Sequence, residues 1–231
     1  MAPTRRAAEA IDAASGTALC ESAAGMTRQL LAATGLVLAA GYSRRMGRPK
    51  ALLPCTPTGE TFVARAVRVL LEGGIADVAV VHREDDVALR VALEQARPRP
   101  RLVVNPTPEL GQISSLLAGI DDAEARGAQA VVVLPVDMPQ VQAGSVAALL
   151  EAARSASAPI LRVVHAGRHG HPVMFRRAVF PDLRAADPTV GARAIFHGDA
   201  YLIRDVPVDD PGVLRDVDVP ADYEEIWRDG R

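Results

Sequence analysis

Leu36-Val37-Leu38-Ala39-Ala40-Gly41-Tyr42-Ser43-Arg44-Arg45-Met46-Gly47-Arg48-Pro49-Lys50 carries an apolar strand into a glycine-bracketed basic loop. Apolar Ala51-Leu52-Leu53 follows it. Gly41 and Gly47 let the backbone turn tightly and bring its N–H groups close to an anion, because no Cβ stands in the way. Arg45 adds a fork of donors and Lys50 a point charge. This combination suits a triphosphate. The loop has no G-x-x-x-x-G-K-[ST] spacing and no G-x-G-x-x-G spacing, so neither a Walker A loop nor a dinucleotide fingerprint is present.

Outward from this loop, apolar runs alternate with helix-like segments. Thr61–Glu72 carries Phe62, Ala66, Val69 and Leu70 at helical spacing and ends at Gly73-Gly74. Asp77–His82 is a β-branched strand, Asp85–Ala96 a helix stopped near Pro98, and Arg101–Val104 a short strand. Ile113–Arg126 is a helix, and Ala130–Val136 is the most hydrophobic strand, predicted at the sheet centre. Ala143–Ala153 is a further helix. Ile160–His165 and His171–Phe175 then suggest an antiparallel hairpin, followed by a helix over Thr189–His197, a strand over Tyr201–Val208 and a helix over Pro220–Trp227. The pattern predicts an α/β fold: a single doubly wound, mostly parallel sheet with an antiparallel excursion near the C-terminal half.

The 231 residues suit one α/β domain at 34–231, preceded by an Ala-rich extension at 1–33 that is expected to be disordered or partly helical. Met26 offers an alternative start ahead of the first strand. The formal charge of −2 provides no basic field for nucleic acid or an anionic membrane, and 3% aromatics argues against base-stacking platforms. Cys20 and Cys55 form no C-x-x-C pair, so a reducing cytoplasm is the expected setting. Acidic residues interrupt the N-terminal segment, which excludes a secretory signal, and the run 30–40 is too short to span a bilayer.

Asp137 closes the predicted central strand in Leu134-Pro135-Val136-Asp137-Met138-Pro139. Ligands of doubly wound sheets bind outside the carboxyl ends of the strands, and a carboxylate there can hold Mg²⁺ against phosphate oxygens. The same Asp can equally cap the next helix. Asp216 and Asp218 alternate onto one face of an extended segment, which fits either a metal site opposite Asp137 or a solvated face. Asp222, followed by Glu224 and Glu225, suits the start of a helix. Gly111 opens a helix whose free N–H groups, with Gln112, Ser114 and Ser115, can meet a base or a phosphate, or simply cap. His165, His169 and His171 lack nearby Cys or carboxylates in sequence and are not read as a zinc site.

The first loop matches L-A-[AG]-G-x-S-x-R-M-G-x-x-K at every fixed position and resembles the signature of the MobA/MocA-like nucleotidyltransferases. The Ala39-Ala40-Gly41 form resembles the cytidylyltransferase branch, since the guanylyltransferases tend to carry two glycines. Asn105-Pro106…Gly111…Ser115…Gly119, Gly170-His171-Pro172 and Asp216-Val217-Asp218-Val219-Pro220 resemble later motifs of the same family, with Val219 in place of its common Thr. The resemblance covers roughly 35–227. It implies that Leu38, Ala39, Ala40, Gly41, Ser43, Arg45, Met46, Gly47, Lys50, Gly111, Ser114 and Ser115 bind a nucleotide. It further implies that His171 and Pro172 meet the acceptor, and that Asp137, Asp216 and Asp218 hold Mg²⁺. Arg45, Lys50 and Asp137 are then the catalytic residues.

The implied reaction is transfer of CMP from CTP to the phosphate of molybdopterin, the molybdenum cofactor precursor, with release of pyrophosphate. Such transfers rest on positioning and charge neutralisation, which accounts for cations and carboxylates without a nucleophilic Ser or Cys. The implied partners are these small molecules, with transient contact to a molybdoenzyme or its chaperone. A sugar, polyol or lactate phosphate acceptor with CTP or GTP is an alternative. A NAD(P)H-dependent oxidoreductase using His82-Arg83 at a 2′-phosphate, or a non-catalytic cofactor carrier, is an alternative of another class.

Overall fold

A computed structural model of the chain describes residues 32–196 and 201–229. The expected extension at 1–33 lies outside them except for its last two residues, as does His197. Seven strands form one sheet: β1 (Ala33–Leu38), β2 (Asp77–Arg83), β3 (Arg101–Asn105), β4 (Ala130–Pro135), β5 (Ile160–His165), β6 (Arg168–Arg176) and β7 (Ile203–Pro207). Their order is β3-β2-β1-β4-β6-β5-β7. The first four strands run parallel, and β6 enters antiparallel to both β4 and β5. Strand β7 then pairs parallel with β5. β4 is central, as its unbroken apolar run predicts, because both of its faces are covered.

Among the described residues six α-helices cover the sheet: α1 (Phe62–Glu72), α2 (Val87–Gln95), α3 (Gln112–Ala125), α4 (Ala143–Ser155), α5 (Phe180–Ala185) and α6 (Pro220–Asp229). Alternation along the strands divides the core in two. Val37, Val80, Val132 and Leu134 pack with α1 and α4 on one face. Leu36, Leu38, Val81, Val131 and Val133 pack with α3 and α5 on the other. The Thr61 side chain caps α1 by accepting from the Ala64 N–H, and Asp86 caps α2 by accepting from Leu89. Among the described residues no helix is long and apolar enough to cross a membrane.

Two elements differ from the sequence expectation. The segment read as a helix over 189–197 is a 3-10 helix, Gly191–Phe196, preceded by a turn in which Asp187 accepts from both the N–H and the hydroxyl of Thr189. Helix α5, which contains Pro181, is not among the elements read from the sequence. The proline sits in the first turn, where its missing N–H leaves no bond unmade.

Candidate active site

The basic loop leaves β1 at its carboxyl end, tied to β2 by the Ala39 N–H donating to the Val81 carbonyl (2.8 Å). It folds around Ser43, which holds a left-handed φ of 52°. The Ser43 carbonyl accepts from the N–H groups of Met46 and Gly47 (both 3.1 Å), and its hydroxyl accepts from the Lys50 N–H (3.1 Å). Met46 is 4% exposed and plugs the loop into the core. Met46 therefore supports the loop from beneath, Gly47 closes its turn in an exposed position, and neither lines the cleft.

Lys50 is thereby aimed at two carboxylates. Its Nζ lies 2.9 Å from Asp137 Oδ2 and 2.8 Å from Asp218 Oδ1, while the Arg45 guanidinium meets Asp218 Oδ2 at 2.7 Å. Burial works to depress the Lys50 pKa but is outweighed by Asp137 and Asp218, so the ammonium titrates above its ordinary value. Hydrogen bonding from Lys50, with Arg45 beyond it, outweighs burial and holds the Asp218 carboxyl below its usual range. Asp222 completes this strip by accepting from the N–H groups of Asp218 and Val219 (2.8 and 2.9 Å), a cap at the start of α6 that matches the sequence reading.

Asp216, Asp218 and Asp137 all line the cleft but do not converge as one cluster. Among the described residues no three His, Cys, Asp or Glu side chains stand close enough to hold a metal ion by themselves. The physical reason is Lys50, which stands between Asp137 and Asp218. Two hard carboxylates fit Mg²⁺, which ordinarily takes one or two protein oxygens and completes its shell with phosphate and water.

The α3 N-terminus forms a second wall. Gly111 adopts φ 82°, ψ −164°, a conformation open essentially to glycine alone, and it lines the cleft. Asn105, 1% exposed, donates to the hydroxyls of Ser114 (2.9 Å) and Ser115 (3.0 Å) and accepts from the Thr107 N–H. The Ser114 hydroxyl in turn donates to the Gly111 carbonyl (2.7 Å). Ser115 lines the cleft and Ser114 does not; Ser114 holds the turn.

Strand β6 forms the third wall. Because it runs antiparallel to β4, with Val173 opposite Val133, its first residues reach the carboxyl edge where Asp137 lies. A Cβ on Gly170 would strike the Val213 carbonyl, so the G-H-P glycine permits backbone contact with the 3-10 turn Pro211–Leu214 that precedes Asp216. His171 lines the cleft; burial pushes its pKa down to about 4 against the opposing pull of Asp137 and Asp216, which makes it a neutral imidazole at pH 7. Pro172 is buried and does not line the cleft.

Together the three walls enclose a cleft of about 920 Å³. Leu38, Ala39, Ala40, Gly41, Ser43, Arg45 and Lys50 meet in it as the sequence predicts. Arg83, Asp86, Arg168 and Arg193 also line it; of these only Arg83 figured in the sequence reading, as a 2′-phosphate contact. Arg83 had a readable signal, its place at the carboxyl end of β2; Arg193 had none, since it arrives on the irregular 3-10 segment. Arg83 donates to the Gly41 carbonyl (3.0 Å), pairs with Asp85 (2.9 Å) and lies 4.6 Å from the Tyr42 ring centroid. His82 is buried, and its Nδ1 meets the Arg83 carbonyl (2.7 Å). The His82-Arg83 pair is thus committed to the loop, which removes the support for a 2′-phosphate site.

The profile of the MobA-like NTP transferase domain matches residues 35–204. The chain is 31% identical over 200 residues to the purine catabolism protein PucB of Bacillus subtilis, covering 84% of this chain and 95% of that one. It is 36% identical over 137 residues to a probable molybdenum cofactor guanylyltransferase of Opitutus terrae, covering 59% of this chain and 63% of that one. Among solved structures, Rv0371c of Mycobacterium tuberculosis superposes with a TM-score of 0.72 at 29% identity, over 84% of this chain and 97% of that one. Loop, sheet order and family profile coincide on the same residues: the chain belongs to the MobA-like NTP transferase family and is a nucleotidyltransferase.

Proposed function

We propose that this enzyme transfers CMP from CTP to the phosphate of a molybdopterin-type acceptor in the cytoplasm. The observation that carries the transfer chemistry is Lys50 between Asp137 and Asp218, with the basic loop on one side and β6 on the other. An acceptor phosphate oxygen attacks the α-phosphorus, the bond to the β-phosphate breaks, and pyrophosphate leaves. Lys50 and Arg45 would neutralise charge on the departing pyrophosphate, and the loop amides would hold the triphosphate. Mg²⁺ would be held by Asp137 with Asp218 or Asp216 and by phosphate oxygens, and when bound it neutralises phosphate charge. A phosphate dianion as nucleophile needs no general base, and neutral His171 can donate one hydrogen bond to the acceptor without adding charge.

Ala40 supports the cytosine reading. It lines the cleft at the position where the guanylyltransferase form of the loop tends to carry a second glycine. The guanylyltransferases among the relatives favour GTP as the second reading. Pyrophosphate release by the purified protein, with Mg²⁺, molybdopterin and each NTP in turn, separates the two. Acceptor-dependent release with CTP supports the proposal, release with GTP alone moves the enzyme to the second reading, and release with neither sinks the acceptor assignment.

A further inference from the structure

The arginines around the cleft differ in how they are occupied. Arg45 is paired with Asp218, Arg83 with Asp85, and Arg44 lies 5.1 Å from the Tyr42 ring centroid. Arg168 and Arg193 line the same cleft, are exposed, and meet no carboxylate among the described residues. Arg168 opens β6, and Arg193 lies on the 3-10 segment Gly191–Phe196; neither belongs to the basic loop. The sheet order β1-β4-β6 sets the loop after β1, Asp137 after β4 and Arg168 at the start of β6, so Asp137 stands between two cationic groups.

Both arginines stand on anchored backbone. The β5–β6 turn is pinned through Gly170 against the Val213 carbonyl. The segment bearing Arg193 is held by Phe196, whose ring lies 6.0 Å from that of Phe175 and beneath the Arg162 guanidinium at 5.7 Å. Arg162 is itself fixed by Asp205 (2.6 Å). His169, next to Arg168, also lines the cleft but is turned to the same Asp205 (3.5 Å), whereas Arg168 meets no carboxylate among the described residues.

We propose that Arg168 and Arg193 form a second anion subsite, which binds the phosphate monoester of the acceptor. Nucleotidyl transfer to a phosphate needs two anionic groups brought together, and the loop serves one of them. A monoester dianion has three terminal oxygens: guanidinium forks can hold two while the third faces the α-phosphorus. Among the described cleft residues Lys50 is already paired with Asp137 and Asp218, Arg45 with Asp218 and Arg83 with Asp85. The inference rests on the transferase reading above, and it adds where the acceptor's charge is met.

The test is calorimetric titration of the full chain, wild type and the double variant R168Q/R193Q, with molybdopterin and, separately, with a non-hydrolysable CTP analogue. Loss of two charge-assisted contacts predicts weakening of molybdopterin binding by about 10- to 100-fold, with nucleotide affinity unchanged. Equal molybdopterin affinity in both proteins overturns the subsite and leaves the transferase reading intact. Weakened nucleotide binding instead assigns the two arginines to the triphosphate and likewise overturns it. If wild type binds no molybdopterin, the acceptor reading fails, and phenyl phosphate as a minimal monoester, followed by phosphorus NMR, decides the subsite alone. Line broadening with wild type that the double variant lacks supports it, and no difference overturns it.

Discussion

The backbone N–H of Val217 donates to the backbone carbonyl of Asp137 at 2.8 Å, joining two segments that lie 80 residues apart in sequence. This bond brings the segment of Asp216 and Asp218 beside the end of β4, where Asp218 meets Lys50 together with Asp137. The pairing of the two carboxylates with one ammonium is therefore fixed by main-chain geometry.

Asp137→Asn keeps the main-chain bond to Val217 and removes the side-chain charge. Turnover should fall on the order of 10³-fold, the scale of losing one preorganised electrostatic group, while the thermal midpoint stays near wild type. Pyrophosphate release and thermal unfolding measured on the same preparation check this, and normal turnover would remove Asp137 from the chemistry.

Lys50→Met leaves Asp137 and Asp218 facing each other without a cation. Affinity for a triphosphate should drop about 10- to 100-fold, far more than affinity for the monophosphate, if the proposed reading that sets this charge against the distal phosphates holds. Equal losses for CTP and CMP would contradict that placement.

Asp210 is 3% exposed and accepts from the Gln142 N–H (2.9 Å), the Ser145 hydroxyl (2.7 Å) and the Gly212 N–H (2.9 Å). It fastens the Pro211–Leu214 turn to the start of α4, upstream of Asp216. Asp210→Ala strands three donors and should cost about 2–4 kcal/mol in denaturant unfolding. A loss below ~0.5 kcal/mol would show that the turn is held by other contacts.

Gly170→Ala drives a methyl group into the Val213 carbonyl. Relief requires the β6 end and the Pro211–Leu214 turn to separate, at a cost of about 1–3 kcal/mol. The KM for the acceptor should rise while that for the nucleotide is kept, since only the β6 wall moves. A parallel rise in both would mean that the whole cleft is distorted.

His171 titrates near 4 in the fold against an ordinary value of 6.5. The folded state thus favours the neutral ring, and the unfolded chain binds more protons between those two values. Stability from this group is fully present above pH 6.5 and is lost as the pH falls toward 4. His171→Gln should flatten that part of the profile of thermal midpoint against pH; an unchanged slope would assign the acid sensitivity to other groups.

Much of the parallel half was legible because its signals are local. β4 reads as central from its own apolar run, and α1 from its spacing and the glycines behind it. The antiparallel hairpin was visible as two strand-like runs around Gly167, but the insertion of its second strand, β6, between β4 and β5 was not, because pairing partners are not encoded in a strand's own periodicity. Ser114 and Ser115 stand side by side in sequence and both accept from Asn105, yet Ser115 lines the cleft while Ser114 bonds back to the Gly111 carbonyl. Asp86 was read only as part of a helix start; it caps α2 and also reaches the cleft.

The sequence by itself determined the loop: glycines at the turns, a β-strand before it and a cluster of cations within it, all of which act over a few residues of backbone. Which cation does what was decided by the tertiary structure. Arg48 lies 5.0 Å from the Tyr223 ring centroid and Arg44 beside Tyr42, whereas Arg45 and Lys50 reach Asp218. These partners come from α6, from the loop itself and from the segment before α6, brought together by the path of a chain whose helices bury apolar faces on both sides of one sheet. Local sequence sets the charge a segment carries, and packing across the sheet sets which opposite charge it meets.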